Sequence, residues 1–323
     1  MSQRGLKDPL FYCIIVSNLQ TVPVVNPHHI MTLNTHLSHP EDLILTGDLS
    51  VINALYDDAF VSVKIDGAPA IVWGTHPENG EFFVCTKSAF NKKKIKVCYT
   101  KKDVITHFGH QERVALILVN CLNYLPRTKG VFQGDFIGFG GNTSYKPNTI
   151  EYVFDEIVTE NIIIAPHTYY TGDCPLYEME AHSLQGELCE TNDCKFVQPF
   201  VDRVNCNITA PVIDTNDYTF LTEKEACQAK VAINALIRSG QKLHEVDLID
   251  ILGSLRLANL YLLVVEMKEE LMEDMIVYNC PKSYIGGLKV NQEGFVMSTE
   301  YGMIKLVNRD QFSYANFVQG RFQ

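Results

Sequence analysis

A helical block between two strand-rich segments constrains the fold of this chain most. The block covers about residues 222–275 and opens on a capping-box pattern at Thr222. Apolar residues then recur at helical spacing until Gly240, a residue type that often ends helices. A second helical pattern covers residues 245–275 and is interrupted near Gly253. Strands, then inserted helices, then strands again predict an α+β fold with mostly antiparallel sheets.

The segments on either side of this block have the apolar runs and turn residues of β-strands. Before the block, strands are predicted at residues 59–65, 69–73, 81–85, 130–139 and 150–157, with a helix at residues 114–125 that ends before Pro126. After the block, residues 294–299 and 303–307 are predicted to form a hairpin. Residues 1–30 are expected to be a peripheral extension, because Pro23 and Pro27 interrupt regular structure there. One domain over residues 31–323 follows.

Composition limits the classes of partner. The 323 residues are 46% hydrophobic, which is enough to build a sizeable core. The net charge of -11 means that contact with nucleic acid would need a local basic patch. The ten cysteines lack the paired spacing of zinc sites, and Cys174, Cys189, Cys194 and Cys206 come closest to a cluster. Free thiols in a reducing cytoplasm are expected, the host cytoplasm if the protein is viral. The apolar stretches are too short to predict a signal peptide or a membrane span.

The segment Lys64-Ile65-Asp66-Gly67 carries the central chemical signal. A lysine on an apolar strand is seldom buried without a partner, so it faces either a pocket or solvent. In a pocket, desolvation or nearby cations can keep its amine partly neutral and therefore nucleophilic. Gly67 permits a tight turn and a close approach of the backbone to a ligand. Alone, this short string is also compatible with a surface lysine at the end of a strand.

The C-terminal hairpin places an acid and a base near one another. Strand alternation predicts that Glu293, Phe295 and Met297 share one face, and that Met303 and Lys305 share a face on the return strand. If the turn pairs those faces, a carboxylate that can hold a divalent metal lies beside a cation that can stabilise a phosphate. A solvated Glu-Lys pair across the two strands is the alternative.

Two further segments carry an acid and aromatic rings. Phe132-Gln133-Gly134-Asp135-Phe136 presents Asp135 among apolar residues on a predicted strand. In Tyr152-Val153-Phe154-Asp155, either Tyr152 or Phe154 can stack on a nucleobase, and an ordinary place in the core is the alternative for each ring.

These segments, in this order, resemble the signature of the covalent nucleotidyltransferase superfamily, which contains DNA ligases, RNA ligases and mRNA capping enzymes. Lys64 to Gly67 resemble the nucleophile motif, and Gly134-Asp135 resembles the third motif. Residues 152–155 resemble the aromatic motif that follows it. Glu293-Gly294-Phe295-Val296 resembles the fourth motif, and Lys305 falls on the last lysine of the fifth. Lys87 stands where the family often has a basic contact. The segments His36 to Asp42, Lys64 to Ala70 and Phe90 to Lys92 also resemble RNA-ligase-like proteins of large tailed phages.

The resemblance implies the adenylation-domain fold of ligases and a covalent lysyl-AMP on Lys64. ATP would be the substrate, with Mg²⁺ or Mn²⁺ held by Asp135 and Glu293. The implied nucleotide-binding residues are Asp66, Gly67, Lys87, Asp135, Tyr152, Phe154, Glu293 and Lys305. The predicted activity is that of an ATP-dependent RNA ligase or adenylyltransferase that adenylates or seals 5′-phosphate ends in RNA repair.

Met303 departs from the family pattern, because the fifth motif usually has a lysine there. This substitution removes one phosphate contact and favours an alternative in which the protein keeps the fold and binds nucleic acid without catalysis. Guanylyl transfer, as in capping, is a second alternative. The short sequence after Lys305 favours an RNA-ligase-like protein over the classes that use a further oligonucleotide-binding domain.

A lysine-rich segment follows the predicted nucleophile strand. Lys92, Lys93, Lys94 and Lys96 stand close together, with Phe90 and Tyr99 interleaved. Basic side chains with aromatic neighbours are typical of surfaces that bind single-stranded nucleic acid, here expected to be RNA. A solvated loop that offsets acidity elsewhere is the alternative.

Overall fold

The computed structural model describes residues 37–57, 59–203, 210–214, 217–299, 302–310 and 312. Within these residues the chain has helices and mainly antiparallel sheets, so the predicted α+β class is confirmed. The extension predicted at residues 1–30 and Cys206 lie outside the described residues. Cys174 and Cys194 are free thiols, as the cysteine spacing predicted.

The described residues contain seven α-helices. They are α1 (Pro40–Leu43), α2 (Ser50–Tyr56), α3 (Lys101–Phe108), α4 (Glu112–Tyr124), α5 (Glu223–Arg238), α6 (Glu245–Leu252) and α7 (Leu255–Glu273). The predicted helical block is α5 to α7. Thr222 and Glu225 form the capping box that the sequence predicted, and Gly253 ends α6 in the left-handed conformation, at φ 69°. Ser254 then caps α7 by accepting a hydrogen bond from the Leu257 N–H.

Fifteen strands lie in the described part of the chain. They are β1 (Phe60–Val63), β2 (Ala70–Thr75), β3 (Phe82–Cys85), β4 (Val131–Phe139), β5 (Ser144–Tyr145), β6 (Glu151–Val153), β7 (Ile162–Thr171), β8 (Glu180–Ser183), β9 (Cys194–Phe196), β10 (Phe200–Arg203), β11 (Met275–Tyr278), β12 (Lys282–Ile285), β13 (Leu288–Val290), β14 (Gly294–Thr299) and β15 (Gly302–Val307). The strand predicted at residues 150–157 is confirmed only over its first half, as β6.

The largest sheet has the order β3-β2-β4-β7-β8, and β9 adds to β7 in parallel. One face of this sheet packs on α3 and α4, with Trp73, Phe83, Ile117 and Leu118 in a shared core. The helix pair covers apolar side chains that alternate along the strands, which removes that face from water. The opposite face carries more polar side chains, among them Gln133 and Thr168, and is left to line a cavity.

A three-stranded sheet, β1-β14-β15, faces that cavity from the other side. Its outer face presents Phe295, Met297, Ile304 and Leu306, all nearly or completely buried, to a core shared with the helical block. The molecule is therefore layered as helices, sheet, cavity, sheet and helices. Two smaller sheets, β13-β12-β6-β5 and the ribbon β10-β11, complete the described strands.

Buried charges attach the start of the described chain to the helical block. Glu41 accepts hydrogen bonds from Lys268 Nζ at 2.8 Å and from Arg309 Nη1 at 3.3 Å. Arg309 also donates to the Tyr261 hydroxyl at 2.9 Å and to Asn234 at 2.8 Å. Because Arg309 follows β15 in the chain, this cluster holds α1, α7 and the end of β15 together.

Candidate active site

A cavity of about 670 Å³ lies between the two larger sheets. This size is within the usual range of small-molecule sites, which is about 300–1,000 Å³. We call it the central cavity. Of the residues predicted from the sequence, Lys64, Asp66, Gly67, Lys87, Asp135, Glu293 and Lys305 all line it. The structure therefore brings together residues that are separated by more than 200 positions in the chain.

Lys64 follows β1 directly and is fixed by its backbone and its side chain. Its N–H donates to the Gly294 carbonyl at 2.8 Å, which continues the pairing of β1 with β14. Its Nζ lies 2.6 Å from Glu293 Oε2 and 3.3 Å from Asp66 Oδ1. The side chain is 25% exposed. The amine thus faces the cavity between two carboxylates, and the alternative of a solvent-facing lysine is wrong.

The protonation of Lys64 differs from the expected partly neutral amine. Burial lowers the pKa of Lys64, but the carboxylates of Glu293 and Asp66 outweigh it, and the pKa is raised above its usual value. The amine is therefore an ammonium at neutral pH in this state of the protein. Chemistry at Lys64 requires the loss of that proton and a rearrangement of the pair with Glu293.

Glu293 is nearly buried, with 8% of its side chain exposed. Burial raises its pKa, although the attraction of Lys64 and Lys305 acts in the opposite direction. A carboxyl group with a raised pKa at 2.6 Å from an ammonium is a suitable first acceptor for the proton of Lys64.

The loop after Lys64 is held by three hydrogen bonds to residues that are distant in the sequence. Asp66 N–H donates to the Tyr152 hydroxyl at 2.8 Å, and Asn148 Nδ2 donates to Asp66 Oδ2 at 2.7 Å. Gly67 N–H donates to Asp135 Oδ2 at 3.3 Å. A β-carbon at position 67 would lie 2.5 Å from the Phe136 carbonyl oxygen, so a glycine is required for this approach. The close approach in the structure is therefore to the chain's own backbone, and the approach of Gly67 to a ligand stays a prediction.

The terminal hairpin forms as predicted, but its faces are arranged differently. Phe295 and Met297 point into the core with Ile304 and Leu306, and Val296 is the residue that pairs with Lys305. The predicted shared face of Glu293, Phe295 and Met297 is therefore wrong. Glu293 reaches the cavity because it precedes β14, where strand alternation does not apply.

Two further cations border the cavity. Burial, together with repulsion from Lys64 and Arg309, lowers the pKa of Lys305 despite the nearby carboxylates of Asp42 and Glu293. Lys87 is exposed at the rim, in a short 3-10 helix whose N-cap is Thr86. A cavity with Lys64, Lys87 and Lys305 along its wall suits an anionic ligand such as a phosphate.

Met303 lines the cavity on the same strand as Lys305. Its sulfur accepts a hydrogen bond from Ser183 Oγ at 3.2 Å. Ser183 Oγ is also 2.5 Å from Ser298 Oγ, so the two sheets are connected at this point. The position that carries a lysine in the resembling family is here part of a sheet-to-sheet contact.

The two aromatic candidates lie away from the cavity wall. Tyr152 is 2% exposed and packs in the core, where its hydroxyl supports the backbone of Asp66. Phe154 lines a different cavity and contacts the ring of Tyr145. The expected stacking platform at residues 152–155 is therefore corrected: Tyr152 acts as a support for the Asp66 loop, and neither ring borders the central cavity.

Further rings and polar groups line the cavity, and Gln133, Tyr170 and His167 among them were not candidates from the sequence. Gln133 accepts a hydrogen bond from the Tyr170 hydroxyl at 2.8 Å, and the Tyr170 ring is 4.4 Å from that of Phe90. His167 Nε2 lies 3.9 Å from Asp135 Oδ1, and His39 lines the wall near Glu41. Gln133 is two residues before Asp135 on β4, so strand alternation places both side chains on one face. Tyr170 and His167 reach the cavity through the pairing of β4 with β7, whereas His39 comes from the segment before α1.

The lysine-rich segment divides into two groups. Lys92, Lys93 and Lys94 are exposed to solvent, which agrees both with a binding surface and with the alternative of a solvated loop. Lys96 instead donates to the His107 carbonyl at 3.2 Å and lies 4.7 Å from the centre of the Phe108 ring. Its ammonium is engaged with α3, so the expected nucleic-acid contact at Lys96 is replaced by a structural one.

The carboxylates fit a magnesium ion that is shared with a phosphate ligand. Among the described residues, no group of three or more histidine, cysteine or acidic side chains forms a ready-made metal cage. Mg²⁺, however, usually keeps several waters and takes one or two carboxylates together with substrate phosphates. Asp135 and Glu293 both line the central cavity and supply such oxygens.

His39 makes the stability of the protein sensitive to acid. Burial, with repulsion from Arg309, Lys305, Lys268 and Lys64, lowers its pKa far below the usual value. The folded protein therefore keeps His39 neutral while the unfolded chain binds a proton below about pH 6.5. We therefore expect His39 to lower the free energy of unfolding by up to about 1.4 kcal/mol for each pH unit below about 6.5.

Urea unfolding at neutral pH and at mildly acidic pH measures this effect. His39→Gln should lose less stability on acidification than the wild type, because it has no imidazole to protonate on unfolding. His110→Gln, at an exposed position, should keep the wild-type dependence. Equal losses in the wild type and in His39→Gln would contradict the role of His39.

The fold and the cavity together define an α+β protein with a lysine–carboxylate site between two antiparallel sheets. The chain belongs to a family described as "Family of unknown function (DUF6267)", which matches residues 34–251 and 252–321. No curated protein and no solved structure matches this chain. Within the part of the chain that the structure describes, no helix has both the length and the apolar character needed to cross a membrane.

Proposed function

We propose that the protein is a covalent nucleotidyltransferase in which Lys64 takes a nucleoside monophosphate. The observation that carries this proposal is the position of Lys64 Nζ in the central cavity, 2.6 Å from Glu293 and in the same cavity wall as Lys305. Neutral Lys64 attacks the α-phosphorus of ATP. A nitrogen–phosphorus bond forms, the bond to the bridging oxygen breaks, and pyrophosphate leaves with the proton that the attacking nitrogen loses as the bond forms.

The neighbouring side chains have distinct parts in this step. Glu293 accepts the Lys64 proton, and Lys305 and Lys87 stabilise the charge that develops on the phosphate oxygens. Asp135, together with Glu293 while it is ionised, would hold Mg²⁺ or Mn²⁺, which neutralises phosphate charge when bound. The loop held by Tyr152 and Asn148 keeps Asp66 and Gly67 in place beside the reacting amine.

The arrangement of sheets supports an adenylation-domain fold of the ligase type. The nucleophile strand β1 pairs with β14, and β14 pairs with β15, so the motif segments at Lys64, Glu293 and Lys305 lie in one sheet. Asp135 faces them from the other sheet. This grouping is what the proposed reaction requires.

An RNA ligase or RNA adenylyltransferase is the activity that this site supports best. The adenylate would pass from Lys64 to a 5′-phosphate, and a 3′-hydroxyl would then displace AMP and seal the strand. Support comes from the cavity wall, where the Tyr170 ring lies 4.4 Å from that of Phe90, and from the exposed residues Lys92, Lys93 and Lys94, which follow Phe90 in the chain. A polyanionic strand is attracted to such a surface. Action on RNA in the cytoplasm is part of this proposal.

Removal of the three exposed lysines is expected to weaken RNA binding in a salt-dependent way. In the combined variant Lys92→Ala, Lys93→Ala and Lys94→Ala, the slope of log affinity against log salt should fall by about 2, since each phosphate contact on a single strand contributes about 0.7. Fluorescence anisotropy with a single-stranded RNA at several salt concentrations measures it. Lys289→Ala removes an exposed charge on β13 and should leave the slope unchanged. If the triple variant keeps the wild-type slope, the RNA strand does not contact these three lysines.

The test of the proposed function is nucleotide retention after denaturation. Purified protein is incubated with Mg²⁺ and either ATP or GTP labelled at the α-phosphate, denatured and separated on a gel. Label from ATP that survives denaturation supports adenylyl transfer, and label from GTP alone supports the capping-type alternative. Met303 favours the non-catalytic alternative, and a lack of label with either nucleotide and either metal would support that alternative instead.

A further inference from the structure

A second cavity, of about 480 Å³, adjoins the central cavity. The two share Ser62, Val63, Ile65 and His167 in their walls. The far wall of the second cavity is formed by residues 197–203, which include β10. We call it the side groove. A group bound there lies next to the cavity that contains the Lys64 amine.

An exposed pair of aromatic rings stands at the side groove. Phe200, which lines the groove, lies directly opposite Tyr278 on the ribbon β10-β11. The ring centres are 4.7 Å apart and the planes differ by 13°. Phe200 is 47% exposed and Tyr278 is 40% exposed. Exposed, parallel rings of this kind offer a flat surface on which a nucleobase can stack.

The charges around the side groove select against phosphate. Glu187 and Asp202 place carboxylates in its lining. Arg203 also lines the groove, but its guanidinium donates to the Asp57 carbonyl at 2.8 Å and to the Leu55 carbonyl at 3.0 Å. The groove therefore favours an uncharged, ring-containing group over a polyphosphate or the middle of a nucleic-acid strand.

We propose that the side groove binds the 3′-terminal nucleoside of the strand that accepts the activated 5′-end. This inference rests on the proposed function and deepens it. A 3′-terminal nucleoside ends in a hydroxyl without a phosphate beyond it, which suits a groove lined by Glu187 and Asp202. Its base stacks on Phe200, and its hydroxyl points toward the central cavity. The hydroxyl oxygen bonds to the 5′-phosphorus, AMP leaves, and the proton passes to water.

The substrate is therefore a strand end whose terminal base has a free face, because a base inside a duplex is covered on both faces by its neighbours. A 3′-phosphate on the acceptor would lie among the acidic side chains and should weaken binding. The paired rings act on the acceptor strand and leave the reaction of Lys64 with ATP unaffected.

The test separates the last step from the first. A pre-adenylated 5′-strand is supplied with a single-stranded acceptor, and the rate of sealing is measured against acceptor concentration. Phe200→Ala should raise the KM for the acceptor by about 5- to 100-fold, the range of a lost base–aromatic stack. Tyr278→Ala should raise it less, because Tyr278 stacks on Phe200 and not on the base. Labelling of Lys64 by ATP should stay at the wild-type level. Phe200→Tyr should retain sealing, and Leu288→Ala, an exposed apolar change outside the three cavities, should have no effect.

The outcomes are distinguishable. Unchanged acceptor KM in both alanine variants, or equal competition by acceptors with a 3′-hydroxyl and a 3′-phosphate, would overturn the inference and leave the covalent chemistry intact. Absence of label on the wild-type protein would overturn the proposed function, and the inference with it. Thermal unfolding of each variant verifies that loss of an exposed ring has not disturbed the fold.

Discussion

Replacing Lys64 with arginine is expected to lower covalent nucleotide labelling on the order of a thousandfold or more, as for loss of an enzyme's nucleophile. Arginine keeps a cation beside Glu293 and Asp66, so the buried carboxylate retains a partner and the fold is maintained. Its guanidinium stays protonated and cannot attack phosphorus. Lys64→Ala would also stop labelling, but it would leave Glu293 without its closest cation and would confuse stability with chemistry.

The chain offers a closely matched control for this experiment. Lys195 is 28% exposed and lies 3.5 Å from Glu190 and 3.9 Å from Glu160, so it too is a lysine between two carboxylates. It borders a different cavity. Lys195→Arg should label at the wild-type rate. Wild-type labelling by Lys64→Arg would show that another residue is the nucleophile.

Removing the charge of Glu41 is expected to cost about 3–5 kcal/mol of stability. Glu41 is fully buried and joins Lys268 and Arg309, which are themselves almost completely buried. Glu41→Gln keeps the shape of the side chain but removes the negative charge that neutralises the two buried cations. The loss would appear as a lower urea midpoint at an unchanged dependence on denaturant.

An exposed ion pair provides the comparison. Lys282 lies 2.6 Å from Asp155, a shorter distance than either contact of Glu41, but both partners are largely in solvent. Asp155→Asn should have no measurable effect on the urea midpoint. Similar midpoints for Glu41→Gln and the wild type would contradict the role assigned to the buried cluster, and with it the attachment of α1 to the end of β15.

Most elements could be predicted because their signals are local. Capping at Thr222, the stop at Gly253 and the turns between apolar runs depend on residues that are near one another in the chain. The grouping of Lys64, Glu293 and Lys305 was also predictable, from the order of short motifs. The structure adds the pairing of β1 with β14, which brings these three residues into one wall.

The wrong predictions concern residues whose side-chain orientation or protonation is set by tertiary contacts. Glu293 precedes its strand, so counting alternation from it assigned Phe295 to the wrong face. Tyr152 has the composition of a stacking residue, yet its hydroxyl supports a loop 86 residues away in sequence. His167 reaches the cavity from a segment with no distinctive pattern, and His39 reaches it from the segment His36 to Asp42, where the resemblance assigned it no role. The protonation of Lys64 likewise depends on Glu293, which lies 229 residues away.

Peptide mapping by mass spectrometry tests the central claim most directly. The wild-type protein is incubated with ATP and Mg²⁺, digested under conditions that preserve phosphoramides, and each lysine-containing peptide is fragmented. The predicted result is one adenylate on the side chain of Lys64. An unmodified Lys64, or an adenylate on a different residue, would contradict the account.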